Sequence, residues 1–376
     1  MKNLNAHTLI LLLARKSPTG TDMKIAQELV DKGIDWKIFS NVSCMHGLVP
    51  VLYRHLSSLH DVPEDVIASF RKTYFFNISD TVRASIELRN IVDVFTANGI
   101  DAIPVKGLTS AAEIYGEPSL YSSSDIDILI HEKDIFHSAR LMKEMGYTQK
   151  TDLDKFLLEK YIELNFYKKG AKHVEIHFCL VSKRYFSFPE DFWWEDLRDF
   201  QFDGHIYRIL SVEKTILFAG MHLFVHAYST LKFIVSISEM LRLHEKNIRW
   251  QKLMEWANEY NIKRPLLLSL YLAGDLLDAP VPPDVLLSFK KCSVKERWIF
   301  KKVKDKVFDG SANLAWIRFL QTALLYNAGG VVFMIMKWIF PPLKEISLRY
   351  DIPVTSKKIY LYYILNPFLL IMRKRV

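Results

Sequence analysis

Residues Ser122-Ser123-Ser124-Asp125-Ile126-Asp127-Ile128-Leu129-Ile130 place two carboxylates one residue apart at the head of an apolar, β-branched run. A strand sends alternate side chains to opposite faces, so Asp125 and Asp127 share one face while Ile126, Ile128 and Ile130 share the other. The chain must therefore build a sheet with one buried face and one face that carries two like charges. Folding tolerates such a pair only when a cation, a proton or bulk water relieves the repulsion. Divalent magnesium suits the task, because it takes oxygen ligands and leaves room for substrate phosphates. Asp-x-Asp also occurs at solvated strand edges and turns, so the rest of the sequence has to decide between the two readings.

With 376 residues, half of them hydrophobic, the chain is long enough for two or three domains with a sizeable core, which excludes a mainly disordered protein. Fifty basic residues against 42 acidic ones give a formal charge of +8, a mild excess that favours an acidic partner such as a nucleotide, a nucleic acid or a membrane surface. Cys44, Cys179 and Cys292 are widely spaced, odd in number and contain no C-x-x-C pair. They indicate neither a disulfide framework nor a zinc site, and they fit a reducing cytoplasm. The apolar run Leu9 to Ala14 is short, is followed by Arg15 and Lys16 and lacks a cleavage site, so it reads as a core helix rather than a signal peptide. Ala323 to Met336 and Ile359 to Met372 are apolar but shorter than a bilayer span requires. They read first as core helices and second as an interfacial attachment helped by the basic tail Arg373-Lys374-Arg375.

Three segments follow from the periodicity. Residues 1–95 read as helical, with apolar positions three and four apart in Ile25 to Leu29 and Ile67 to Phe75. Helical character runs on through Arg83 to Ala97 and stops at Asn98-Gly99. Residues 96–210 change to a mixed α/β pattern. Ile100 to Val105 predicts a short strand, Ser110 to Tyr115 a helix, Asp125 onward a strand and Lys133 to Met145 a helix. Ile162, Leu164 and Phe166 then alternate with polar residues, Lys168-Lys169-Gly170-Ala171 turns, and Val174, Ile176 and Phe178 alternate on the return. The other face of that return strand carries His173, Glu175 and His177. A further hairpin around Asp203-Gly204 is expected to close the sheet region. From 211 to 376 the chain reads as helical again, with Ser211 as an N-cap and Glu213 in the first turn. The fold class is therefore α+β, a small mixed sheet with packed helices between helical flanks.

If the strand of Glu175 lies beside that of Asp125 and Asp127, three carboxylates converge on one sheet face. Such a trio is the ligand set of a two-magnesium site for in-line displacement at phosphorus. Lys106-Gly107, at a strand end and before a helix, adds a lysine charge and backbone N–H groups that can face a triphosphate.

Lys106-Gly107, Ile114-Tyr115-Gly116, Ser124-Asp125-Ile126-Asp127-Ile128-Leu129-Ile130, Gly146-Tyr147 and Glu175-Ile176-His177-Phe178 together resemble the uncharacterised, or family-5, nucleotidyltransferases of the DNA polymerase β-like superfamily. Leu210-Ser211-Val212-Glu213, His222, His226 and Leu231-Lys232-Phe233 follow in the order the family shows. The specific resemblance covers residues 95–240; Gly33-Ile34-Asp35-Trp36 and His46-Gly47-Leu48 extend it loosely. It implies a nucleotidyltransferase-fold sheet whose Asp125, Asp127 and Glu175 hold two magnesium ions and move a nucleoside monophosphate from an NTP to an acceptor. Glu175 would be a metal ligand or the base that takes the acceptor's proton.

The chain departs from the family pattern at Tyr121, where an arginine is common, at Thr230 and Ser236, which replace Arg and Asp, and at Leu108, which follows Lys106-Gly107 where a Gly-Ser pair is usual. Thr109, Ser110 or Ser124 then become candidates for phosphate contact, with Lys232 as a second candidate cation for the triphosphate. His222 and His226 have metal-ligand spacing on a helix, but no Glu follows His222 and no third ligand is apparent, so zinc is not expected. They and His177 are candidates for the acceptor or the cleft wall. The acceptor stays open among small molecules, glycan or peptide precursors and RNA. Two other functions compete: a nucleotide-binding regulator without catalysis, motivated by the departures, and a membrane-peripheral protein of envelope polysaccharide production, motivated by the C-terminal runs and basic tail.

Overall fold

The computed structural model describes residues 2–149, 163–181, 185–290, 293–310, 314–325, 336, 339–341, 343–350, 352–353 and 355–372. The sequence-predicted strand residue Ile162, most of the apolar run 323–336, Cys292 and the basic tail 373–375 lie outside them. The chain forms two compact units, Met1–Ala312 and Asn313–Val376. The boundaries drawn from sequence near 95 and 210 both fall within the first.

The first unit opens with α1 (Lys2–Leu13), α2 (Gly20–Asp31), α3 (Trp36–Met45), α4 (Val49–Leu56) and α5 (Glu64–Ala97). Local chemistry sets their ends. Thr19 and Asp22 make a reciprocal capping box at the start of α2, and the Asp35 carboxylate accepts from Ile38 N at the start of α3. The two helical stretches read at Ile67–Phe75 and Arg83–Ala97 are one helix of 34 residues, α5. Val66, Phe70, Asn77, Thr81, Ala84, Leu88, Ile91 and Phe95 recur three, four or seven residues apart and make its buried stripe.

A five-stranded sheet follows, built from β1 (Ile103–Pro104), β2 (Asp125–Leu129), β3 (Thr148–Gln149), β4 (Glu163–Tyr167) and β5 (His173–His177) in the order β1-β2-β5-β4-β3. β2 and β5 pair in parallel, with Asp127 opposite Glu175 and Leu129 opposite His177, and the remaining pairs are antiparallel. One sheet face carries Ile126, Ile128, Leu164, Phe166, Val174 and Ile176. It packs against the end of α5 and against α7 (Ile135–Glu144), through Leu88, Phe95, Ala139 and Met142, in one continuous core. The opposite face carries the acidic and imidazole groups. Between β1 and β2 lies α6 (Leu108–Tyr115), closed by left-handed Gly116.

Two expectations change. The strand expected at Ile100 to Val105 shrinks to two residues, Ile103 and Pro104, in register with β2, with one further bond from Val105 N to Asp127 O at 3.2 Å. The hairpin around Asp203-Gly204 forms as expected, from β6 (Arg198–Phe202) and β7 (His205–Ile209), but it makes its own two-stranded sheet. It joins the core through Tyr207 and Ile209 rather than through a ladder.

The unit ends in α8 (Val212–Val225), α9 (Leu231–Leu243), α10 (Trp250–Glu259), α11 (Lys263–Leu277), α12 (Pro283–Lys290) and α13 (Val294–Lys306). The Ser211 hydroxyl accepts from Lys214 N, which starts α8 where the sequence places it. A buried carboxylate ties these helices to the sheet region. Glu113 of α6 accepts from Arg198 of β6 through Nη1 at 2.5 Å and Nη2 at 2.7 Å, and from His244 Nε2, just after α9, at 2.8 Å. Burial alone would raise its pKa, but the hydrogen bonds from His244 and Arg198 outweigh that and lower it. Removal of one partner strands the others, so Glu113→Ala should cost about 3 kcal/mol in urea unfolding at neutral pH. Because the folded pKa is depressed, this contribution is present above the usual Glu range and is lost as pH falls through the folded value.

The second unit contains α14 (Leu314–Leu325), α15 (Leu343–Tyr350) and α16 (Lys358–Met372).

Candidate active site

The parallel pairing of β2 with β5 brings the sequence-predicted trio together. Asp127 and Glu175 are cross-strand neighbours, and Asp125 lies two residues earlier on the same face. Asp127 is buried, with 2% of its surface exposed, so its charge has to be met by the protein. Lys106 Nζ meets Oδ1 at 2.9 Å and lies 3.7 Å from Glu175. His177 Nε2 lies 2.9 Å from the same Oδ1 and 3.5 Å from Glu175 Oε2. Lys106, read from sequence as part of a phosphate cradle, thus rests on the carboxylates themselves.

Electrostatics follow from this packing. Burial pushes the Asp127 carboxyl up to about 6 against the pull of His177 and Lys106. Glu175 is held down at about 2, chiefly by its hydrogen bond with His177. Burial disfavours the His177 imidazolium, yet hydrogen bonds to Asp127 and Glu175 overcome it and raise its pKa to about 9. Burial also opposes the Lys106 ammonium, and Asp127, Asp125 and Glu175 together outweigh it and raise its pKa.

Among the described residues, two groups of side chains offer ligand atoms within 4.8 Å of one another: Asp125, His173 and Glu175, and Asp127, Glu175 and His177. Glu175 belongs to both. Asp127 Oδ2 is buried without a hydrogen-bond partner, and the ammonium on Oδ1 stands where a cation is already favoured. Hard carboxylate oxygens, one of them unsatisfied, fit an oxygen-seeking divalent cation.

The loop into β2 is held from three sides through its carbonyls. Asn77 of α5 donates to Ser119 O at 2.6 Å and to Tyr121 O at 3.1 Å. Lys232 of α9 donates to Ser122 O at 2.8 Å, its Nζ 5.1 Å above the Tyr121 ring. Lys172 donates to Ser123 O at 2.7 Å and pairs with Asp80 at 2.6 Å. Ser124 is exposed, and its hydroxyl donates to Asp125 Oδ2 at 3.0 Å. Gly107 adopts φ +64°, and a Cβ there would lie 3.0 Å from Ser123 Oγ, so the turn into α6 requires glycine twice over.

Between α6, α8 and α9 a cavity of about 70 Å³ runs beside Lys106 and Gly107, walled in part by Tyr121, Phe218, His222, Phe233 and Met240. His222 is kept neutral, its pKa far below 6.5, chiefly by burial, and its ring meets Phe233 edge-on at 4.6 Å. His226 lies 4.5 Å from the His222 ring, at the end of α8. Tyr121 and Ser236, two of the departures, line this same cavity, while Thr230 stands at the N-cap position of α9 without a side-chain capping bond.

Two neighbours, Glu163 and Lys172, had no role in the sequence reading, and His173 was placed on this face without one. Glu163 of β4 stands opposite His177, with Oε2 3.3 Å from Nδ1. His173 shares a ligand group with Asp125, and Lys172 anchors the loop. The alternation that turns Leu164 and Phe166 inward also turns Glu163 toward the site face, so Glu163 was readable once β4 and β5 were paired.

A parallel strand pair with clustered carboxylates on its open face, a glycine turn into a helix beside it and helices packed behind define the nucleotidyltransferase class of α+β protein. The family model described as uncharacterised nucleotidyltransferase matches residues 32–278, and the chain belongs to that family. No curated protein matches the chain. No solved structure matches it either.

His177 supplies a pH signature for the metal-free protein. Its folded pKa exceeds its usual 6.5, so its stabilising effect is complete below about 6.5 and is lost as pH rises through about 9. In chelator-containing buffer, thermal stability of the wild type should fall across that window, and His177→Gln should flatten the fall.

Proposed function

We propose that the protein transfers a nucleoside monophosphate from an NTP to an acceptor, with Asp125, Asp127 and Glu175 as the catalytic, metal-holding residues. The observation that carries this reading is the carboxylate cluster around buried Asp127, in which Glu175 belongs to two ligand groups at once. A pair of magnesium ions, when bound there, would supply charge neutralisation at the phosphoryl group and activation of the attacking oxygen.

The chain's own residues account for the rest. Asp125, Asp127 and Glu175 provide the oxygen ligands and fix their spacing. Lys106, whose ammonium neutralises Asp127 in the ligand-free state, is free to turn toward the triphosphate once a metal takes over that charge. Gly107 begins the turn into α6, whose first N–H groups face the anion. Lys232 holds the loop of Ser122 and adds positive charge near Asp125, although burial lowers its pKa. Ser124, hydrogen-bonded to Asp125, lies at the exposed rim.

The cavity suits the nucleobase. Its walls hold the rings of Tyr121, Phe218, His222 and Phe233, and the neutral imidazole of His222 brings no charge. Such a surface favours a flat ring over a phosphate chain. His177 lies behind the carboxylates and not at the cavity wall, so its part is to hold Asp127 and Glu175 in place. The acceptor hydroxyl, amine or phosphate approaches from the open side of Glu175.

Purified protein is incubated with each NTP, labelled at the α-phosphate, with magnesium and cell extract, and products are read by autoradiography and mass spectrometry. The expected outcome is an adduct heavier by one nucleoside monophosphate, lost on chelation. In Asp127→Asn or Glu175→Gln, incorporation should drop by at least about a hundredfold while the melting curve remains cooperative. NTP binding without any adduct in the wild type would overturn the transferase reading in favour of a nucleotide-binding regulator.

A further inference from the structure

The formal charge of +8 is unevenly divided. Residues 313–376 hold nine Lys and Arg against two Asp and Glu, whereas residues 1–312 hold 41 against 40. The second unit therefore carries nearly all of the net positive charge. It also exposes large apolar side chains in an ordered arrangement. On α16, Tyr360, Leu361, Ile364 and Leu365 are 60%, 56%, 64% and 38% exposed, while Ile359 and Asn366 are fully buried. At 100° per residue the exposed four span an arc of about 140°, and the buried two lie on the opposite side.

The roll of the helix is fixed by hydrogen bonds. Asn366 Nδ2 donates to Ile339 O at 2.6 Å, and Tyr350 Oη donates to Asn366 Oδ1 at 2.7 Å, so the apolar arc is held outward. Cations bracket it: exposed Lys357 and Lys358 stand at its start, and Arg373, Lys374 and Arg375 follow it in sequence.

We propose that α16 docks the protein in the plane of an anionic phospholipid surface. The helix has 15 residues and is about 22 Å long, shorter than the roughly 30 Å of a bilayer's hydrocarbon core. No helix among the described residues is long and apolar enough to cross a membrane. Laid flat, it buries the apolar arc among acyl chains while Lys357 and Lys358 at its start meet lipid phosphates. The two halves of the observation select this occupant. A nucleic acid would satisfy the cations and leave Leu361 and Ile364 in water, and a second copy would bring two units of strong positive charge together. The inference stands apart from the nucleotidyl-transfer reading and survives if that reading fails.

Full-length protein is floated with vesicles of phosphatidylcholine, with or without phosphatidylglycerol. Flotation is expected with phosphatidylglycerol only, and it should weaken as salt rises. The double variant Leu361→Glu/Ile364→Glu should bind about tenfold or more weakly, and Lys357→Gln/Lys358→Gln several-fold more weakly. Both change exposed side chains, so their melting curves should match the wild type. If the glutamate variant melts early, the glutamine variant, which leaves every apolar contact in place, decides the matter. Absence of flotation, equal flotation of wild type and both variants, or a wild-type dimer by light scattering that the glutamate variant dissociates would each overturn the proposal.

Discussion

The burial of Asp127 beside Glu175 is the constraint on which the rest of this structure depends. A carboxylate with almost no water, beside a second, partly buried one, cannot persist without positive charge, and the fold supplies it from two directions. Lys106 arrives from the end of the β1 segment and His177 from the far end of β5, and both end on the same Asp127 oxygen. Asp127 and Glu175 are thus already held close around two cationic groups. Asp127 Oδ2 is buried without a hydrogen-bond partner, so part of its demand is left unmet.

Holding that geometry requires the loop before β2 to be rigid, and it lacks regular structure for most of its length. Side chains from α5, from the turn between β4 and β5 and from α9 take its carbonyls one after another. Elements distant in sequence are thus tied to the residue that starts the carboxylate strand. The buried Glu113 junction repeats this logic on the other side of α6, where it joins that helix to β6 and to the end of α9. The site consequently depends on the helices as much as on the sheet. A family match that begins at residue 32 and runs to 278 agrees with this, since it takes in flanking helices well beyond the strands.

Much of this was legible from local pattern. The period-two alternation of Asp125 to Leu129 and of Leu164, Phe166, Val174 and Ile176 fixed which side chains face the core, and Asn98-Gly99, Gly116 and Ser211 marked helix ends through their capping chemistry. What stayed hidden came from contacts across the chain. Lys106 looked like a phosphate ligand because only its sequence position was visible, and its ion pair with Asp127 exists only after β1 and β2 are paired. Glu163 went unnoticed because its partner, His177, is brought opposite by the β4–β5 register. The hairpin at Asp203-Gly204 was readable as a hairpin, but its separation from the main sheet was not, because a strand's own residues do not say which edge it joins.

The sequence by itself determined that one sheet face is apolar and that the other carries Asp125, Asp127 and Glu175, because side-chain direction in a strand is a local property of the backbone. Only the tertiary structure decided that β2 lies parallel to β5, that Lys106 and His177 converge on Asp127, and that Tyr121 and Ser236 share a cavity wall. Those facts depend on which distant segments meet, and that choice is made by the combined burial of the whole core and not by any single stretch of chain.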